Sequence, residues 1–370
     1  MMRKQAFLEV RTFTVLVIFF TIGTSILIAP SGLAAEAKQD GWLGCIIGIA
    51  LNLLVVLLYV VLAERYPGLS LVQYCEAVLG RWLGKAAGLL FVAFFYLLAS
   101  LMIGDLGFFL ASQIMPETPM EVVQILFIIV VGLAVRAGLA VYSRAAEIFF
   151  PWLLLLLAVL IVPLVPKLQL HNVTPVLEYG IKPVLKSGFS LFGLQETVVM
   201  LMIYPLVSKG KGRIRGLVLG TAIGGFVLFI ITLWSIAVLG ASLSANQLFP
   251  AYTLAKNINI GHFLERVEGV MIFIWILSIF VKIAITFHSV ALGTAQLFRV
   301  SDEKPFVWPL ALGMLAISLI CYPNTIYVKD FLAKNWTPFA IVFMVLLPVL
   351  LLCMSMIRGH DAKKSNHRHP

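Results

Sequence analysis

The sequence predicts an all-α integral membrane protein of ten transmembrane helices, built as two inverted five-helix repeats in which helices one and six are broken. Three observations carry this. The chain is 61% hydrophobic and only 12% charged, about half the charged share of soluble domains. Its apolar runs are long and continuous, which favours helices over the short alternating strands of a barrel. Two of these runs are interrupted by glycine near their middles, at corresponding places in the two halves.

The spans fall at about 13–33, 42–63, 87–112, 121–137, 147–166, 184–206, 215–240, 266–296, 306–322 and 336–357. Residues 1–361 form one ten-span domain, with repeat one at 13–166 and repeat two at 184–357, and 362–370 form a polar, basic tail. The basic residues test the count. With the N-terminus inside, eighteen of the 27 Lys and Arg residues lie on the inner side, eight on the outer side, and Lys282 lies within a span. That bias places both termini in the cytoplasm. It also accounts for the net charge of +10 without nucleic acid as a partner. Arg3 and Lys4 before an apolar run resemble a signal peptide, but the run is too long and lacks a small-residue cleavage site, so it reads as a retained first span. Cys45, Cys75, Cys321 and Cys353 show no metal-ligand spacing and read as packing residues.

Between the spans, Glu64–Leu83 reads as a short amphipathic helix on the cytoplasmic surface. The connection 136–147 is short and basic, and Lys209-Gly210-Lys211-Gly212-Arg213 is a basic inner turn that sets topology. Gly240–Glu265 is the longest outer connection, and Pro250–Ile258 within it is expected to form a small helix over the outer mouth.

In the first break, Gly23, Thr24 and Ser25 interrupt the run Thr21–Ser31. Glycine loosens the helix, and the hydroxyls can satisfy freed backbone groups. An unwound point at mid-membrane exposes N–H groups and the positive end of the following half-helix, a combination that captures a carboxylate. Small residues at an ordinary helix–helix contact are the competing explanation. The sixth span favours the break. It runs in the opposite direction and is interrupted in register, through Ser187-Gly188-Phe189-Ser190 and Gly193-Leu194-Gln195-Glu196-Thr197.

Charges at membrane depth default to function. Glu196 follows the second break. Lys282 sits deep in span eight, with Thr286 one turn on, along the same face. Asp105 lies in the outer part of span three. Lys282 either replaces a coupling cation, takes part in a proton step, or is neutralised in a buried pair with Glu196 or Asp105. His288 reads as structural. No nucleophile elbow, phosphate loop or HExxH pattern occurs, so no enzyme and no cofactor are expected.

Several stretches resemble a known family. Gly23-Thr24-Ser25-Ile26-Leu27-Ile28-Ala29-Pro30-Ser31, followed by Ala37-Lys38-Gln39-Asp40-Gly41-Trp42, is similar to the opening of the B subunits of bacterial spore germinant receptors. Gly138…Arg144…Glu147…Pro151, Gly193…Glu196…Pro205, and Glu265-Arg266-Val267-Glu268 with Trp275 resemble its later spans. The resemblance implies the amino acid–polyamine–organocation transporter superfamily, with its LeuT-like fold. It implies sensing of a small nutrient, usually an amino acid or sugar, at the spore inner membrane, beside a membrane-anchored A-type subunit and a lipoprotein C-type subunit. Lys282 matches no family motif; in a cation position it argues against sodium coupling.

The expected ligand site joins the two breaks. Main-chain groups of Gly23, Thr24, Ser25, Ile26 and Leu27 hold a carboxylate. Gly193, Gln195 and Glu196 face an amine or side chain, and Lys282 and Thr286 support the first break from span eight. A proton-coupled secondary amino acid transporter is the alternative, and a ligand-free membrane scaffold the third class.

Overall fold

In the computed structural model of the protein, residues 8–208, 210–258, 268–321 and 331–357 are described. The tail 362–370 and residues 265–267 lie outside them. Among the described residues there are helices and turns, plus one isolated bridge between Leu8 and Val207.

The first span is two half-helices, α1 (Val10–Ile22) and α2 (Ser25–Ala37), separated by Gly23 and Thr24. The chain then runs through a 3₁₀ corner, Lys38–Asp40, into α3 (Gly41–Arg65). A short helix, α4 (Leu71–Leu79), precedes α5 (Arg81–Gln113), α6 (Met120–Ala137) and α7 (Leu139–Ile161). The sixth span is α8 (Ile181–Gly193), an interruption, a 3₁₀ turn Thr197–Val199, and the short α9 (Met200–Ile203). Then follow α10 (Lys211–Leu239), α11 (Ala241–Asn246), α12 (Pro250–Lys256), α13 (Glu268–Phe298) and α14 (Lys304–Cys321). The last helix, α15 (331–357), includes two π-helical turns, Leu332–Trp336 and Val342–Leu346, and ends as Leu347–Ile357. Nine helical stretches among the described residues are long and apolar enough to cross a membrane. One of them, Ser25–Arg65, bends through the 3₁₀ corner and holds both α2 and α3, so with α1 they make ten crossings.

Small residues let the central helices approach closely. Gly216, Gly220 and Gly224 repeat every four residues along α10 and face Thr14, Val17 and Thr21 of α1. A Cβ on Gly220 or Gly224 would lie 2.7 Å from Val17 Cβ or 2.6 Å from Thr21 Cβ. This is the small-residue packing that membrane helices use in the absence of a hydrophobic drive between them. Gly44 and Gly48 of α3 meet Ser187, Gly188 and Leu191 of α8 in the same way.

The structure differs from the sequence expectation at two places, and forms both expected short helices. The fifth span begins at Leu139, because Gly138 turns the chain at φ 103° and leaves a single-residue connection. Arg144 and Glu147 therefore lie on α7, where Glu147 accepts a hydrogen bond from Thr12 at 2.7 Å. Arg213, expected in the basic inner turn, lies in the first turn of α10. It is buried and makes a two-point ion pair with Glu64 at 2.8 and 2.9 Å. The amphipathic helix forms as α4, closed by a reciprocal Ser70–Gln73 capping box. Its apolar face, Leu71, Val72, Tyr74, Cys75 and Val78, is buried against the bundle. The small helix expected at 250–258 forms as α12, and its Tyr252 meets Phe109 edge to face.

Candidate ligand site at the two helix breaks

At the first break, the Gly23 N–H still donates to Phe19 O at 2.8 Å, closing α1. Leu27 N–H turns back to Thr24 O at 3.3 Å. The first amides of α2 thus face the break at the positive end of a half-helix. Glycine at 23 is required by close approach. A Cβ there would collide with the Lys282 stem and lie 2.9 Å from Phe20 O. At the second break, Leu194, Gln195 and Glu196 stand between α8 and the following 3₁₀ turn. A Cβ on Gly193 would run into Thr337 of α15.

The two breaks are joined directly. Ser25 Oγ donates to Leu194 O at 3.2 Å, and Gln195 Nε2 donates to Ser25 Oγ at 3.1 Å. Asn52 of α3 bonds Gln195 Oε1 at 3.4 Å and accepts from Thr197 at 2.9 Å. Ser278 Oγ of α13 donates to Gly23 O at 3.4 Å.

Lys282 crosses the middle of this network. Its ammonium donates to Thr24 Oγ1 at 3.2 Å in the first break, and to Leu194 O at 3.4 Å and Glu196 Oε2 at 2.9 Å in the second. The Lys282 side chain is 0% exposed and that of Glu196 3%. The Nζ also lies 5.1 Å from the centre of the Phe20 ring. The other Glu196 oxygen accepts from Trp336 Nε1 at 3.2 Å, and the same indole donates to Gly193 O at 3.0 Å. A buried ion pair survives desolvation when its remaining lone pairs and protons are also satisfied, and here both partners have further bonds.

Of the residues expected at the site, Gly23, Thr24, Ser25, Gly193, Gln195, Glu196 and Lys282 meet within this network. Ile26 and Leu27 lie in the first turn of α2 with fully buried apolar side chains, so they face the break only through their main chain, where the Leu27 N–H is already given to Thr24 O as the Gly23 N–H is to Phe19 O. Thr286 is buried, and its hydroxyl donates to Lys282 O at 2.8 Å, one turn back on its own helix. Asp105 is half-buried on α5. His288 is buried with its ring 6.1 Å from that of Tyr142. Sequence reasoning missed Asn52, Ser278 and Trp336, and named Thr197 only as part of the second break. A lone amide in the apolar run of α3 was a visible signal for Asn52. Trp336, near the start of the last span, gave none, since tryptophan there reads as an interfacial anchor.

The Lys38-Gln39-Asp40 corner has a different task. Both Asp40 carboxylate oxygens accept from Leu177 N–H, at 3.0 and 3.1 Å, and Gln39 donates to Glu178 at 2.7 Å. Lys38 Nζ sits 3.5 Å from the centre of the Tyr179 ring. The corner therefore pins the loop between α7 and α8. At the opposite end of the bundle, where the described chain begins, Leu8 N–H donates to Leu206 O at 2.8 Å and Ser208 N–H to Leu8 O at 3.0 Å. Beside them Tyr204 donates to Glu64 at 2.7 Å, next to the Glu64–Arg213 pair.

Comparison with known proteins places this arrangement. A solved structure of MhsT in complex with L-phenylalanine has the same LeuT-like fold, with a TM-score of 0.68 at 14% identity over 93% of this chain and 97% of that one. Spore germination protein KB of Bacillus subtilis (strain 168) is 29% identical over 328 residues, 87% of each chain. Spore germination protein A2 of the same organism is 25% identical over 376 residues, 98% of this chain and all of the relative. The family model described as spore germination protein matches residues 8–326. With ten helical spans among the described residues, broken first and sixth spans and that match, the chain belongs to the spore germination protein family, the B subunits of germinant receptors.

Proposed function

We propose that this chain binds a small nutrient, an amino acid, between the breaks of its first and sixth spans, and that binding triggers germination. The meeting of two interrupted half-helices around the buried Lys282–Glu196 pair carries this reading. The positive end of the α2 half-helix suits a carboxylate. Glu196 suits an ammonium group. The amino acid held by the MhsT structure supports a ligand of this size and chemistry. In this reading the chain sits in the spore inner membrane with both termini cytoplasmic, performs no enzymatic step, and passes its state to A-type and C-type receptor subunits. Ligand binding favours one arrangement of the bundle by differential affinity for two states.

A second reading is a proton-coupled amino acid transporter, favoured by the presence of two ionisable groups at membrane depth in one contact. Binding and uptake by the purified protein in liposomes separate the two. Binding without net uptake supports the sensor. Uptake driven by an imposed proton gradient supports the transporter. Absence of binding by amino acids and sugars alike refutes the ligand site in both.

A further inference from the structure

Resting on the ligand site just proposed, we infer that the Lys282–Glu196 ion pair is an internal stand-in for a zwitterionic ligand, opened by exchange: the ligand carboxylate takes Lys282 and the ligand ammonium takes Glu196. The pair closes directly where the two breaks meet, at 2.9 Å, with side chains 0% and 3% exposed, and the same ammonium reaches Thr24 in the first break. Lys282 comes from α13 and Glu196 from the non-helical stretch of span six, so separating them requires no helix to unwind. Each keeps its other partners as they part. Thr24 Oγ1 and Leu194 O remain for the ammonium of Lys282, and Trp336 Nε1 remains for the carboxylate of Glu196.

Charge balance then decides the ligand class. At this depth an ion without a counter-ion is far more costly than a paired one. An α-amino acid inserted between the two side chains converts one ion pair into two and leaves no charge unmatched. A carboxylic acid lacking the amine would satisfy Lys282 and strand Glu196. An amine lacking the carboxylate would do the reverse. A neutral sugar gains nothing by opening the pair. The site is thus selective for ligands that carry both charges on one small frame. The same rule inverts when one partner is neutralised. Glu196→Gln leaves a lone cation that calls for a monoanion, and Lys282→Met leaves a lone anion that calls for a monocation.

The test uses the full chain in nanodiscs, with equilibrium binding of L-amino acids, then of the methyl ester and the N-acetyl derivative of the amino acid that binds. In the wild type both derivatives should bind about a hundredfold more weakly or worse, the scale of one unpaired buried charge. In Glu196→Gln the N-acetyl derivative should become the better ligand, and in Lys282→Met the methyl ester should. Glu196→Gln with Lys282→Met carries no unpaired charge and should show neither preference. Derivatives that bind the wild type within about threefold of the parent overturn the exchange (a difference under 1 kcal/mol), and that arm needs no variant to fold. If only a neutral solute such as glucose binds, and Gly23→Leu abolishes it, the exchange is wrong while the site at the breaks stands. If neither amino acids nor sugars bind, the site reading itself fails.

Discussion

Neutralising one member of the Lys282–Glu196 pair should be far more damaging than neutralising both. In Glu196→Gln the amide keeps the size of the side chain and can still accept from Trp336, which now donates at 3.2 Å. Lys282 keeps Thr24 and Leu194 O but loses its only carboxylate contact among the described residues, while its side chain stays 0% exposed. Breaking a buried pair in this way costs about 3–5 kcal/mol, whereas replacing both partners with neutral groups of similar volume is often neutral or favourable. The double variant Glu196→Gln, Lys282→Met should therefore recover most of what either single variant loses. The expected interaction term is at least about 2 kcal/mol, well beyond the few tenths seen for independent sites. The assay is reversible unfolding in bicelles by denaturant titration, run on wild type, both single variants and the double. Single losses below about 1 kcal/mol that simply add in the double would refute the reasoning. They would mean that the two groups are not charged partners in the folded state.

Three further outcomes follow from the same geometry. Trp336→Phe keeps the ring but removes the N–H shared by Gly193 O and Glu196 Oε1; it should cost about 1–3 kcal/mol in that unfolding assay, and a loss within about 0.5 kcal/mol, the range of innocuous surface changes, would contradict the bond. Burial pushes the Cys75 thiol on α4 up from 9.0 to about 12. Because the thiolate is the reacting form, Cys75 should resist maleimide at pH 8 while α4 stays docked, and labelling as fast as in the denatured protein would show that α4 is not packed as described. Glu64→Gln takes away the carboxylate shared by Arg213 and Tyr204. Amide exchange at Leu8 and Ser208, the bridge beside it, should speed up, and unchanged exchange there would mean that the bridge holds without the ion pair.

The breaks were legible in the sequence because their cause is local. Gly23 with two hydroxyls, and Gly193 before a polar triplet, interrupt runs that would otherwise have no reason to stop. The ten spans were legible for the same reason. Their ends were not, since a helix continues past its apolar run when a neighbour supplies partners. α7 reaches back to Leu139, past Arg144 and Glu147. Arg213 marks the limit of charge counting. Its place near the start of span seven read as a topology signal, and only tertiary packing sets it on Glu64. The chemistry of Glu196 and Lys282 was visible as two costly residues at depth. Which carboxylate Lys282 faces, and that Thr24 and Trp336 complete the pair, depends on helix rotation, which the apolar pattern of a fully buried helix does not encode.

The central claim is that a small nutrient sits between the two breaks. The most direct measurement is photo-crosslinking of the nanodisc-embedded protein with a diazirine analogue of the amino acid that binds it, followed by peptide mapping. The account predicts label on peptides containing Gly23–Leu27 and Gly193–Glu196, competed away by the unlabelled amino acid and lost in Gly23→Leu protein that still assembles. Competable label confined to other parts of the chain, such as α12 or the α7–α8 loop, would contradict it.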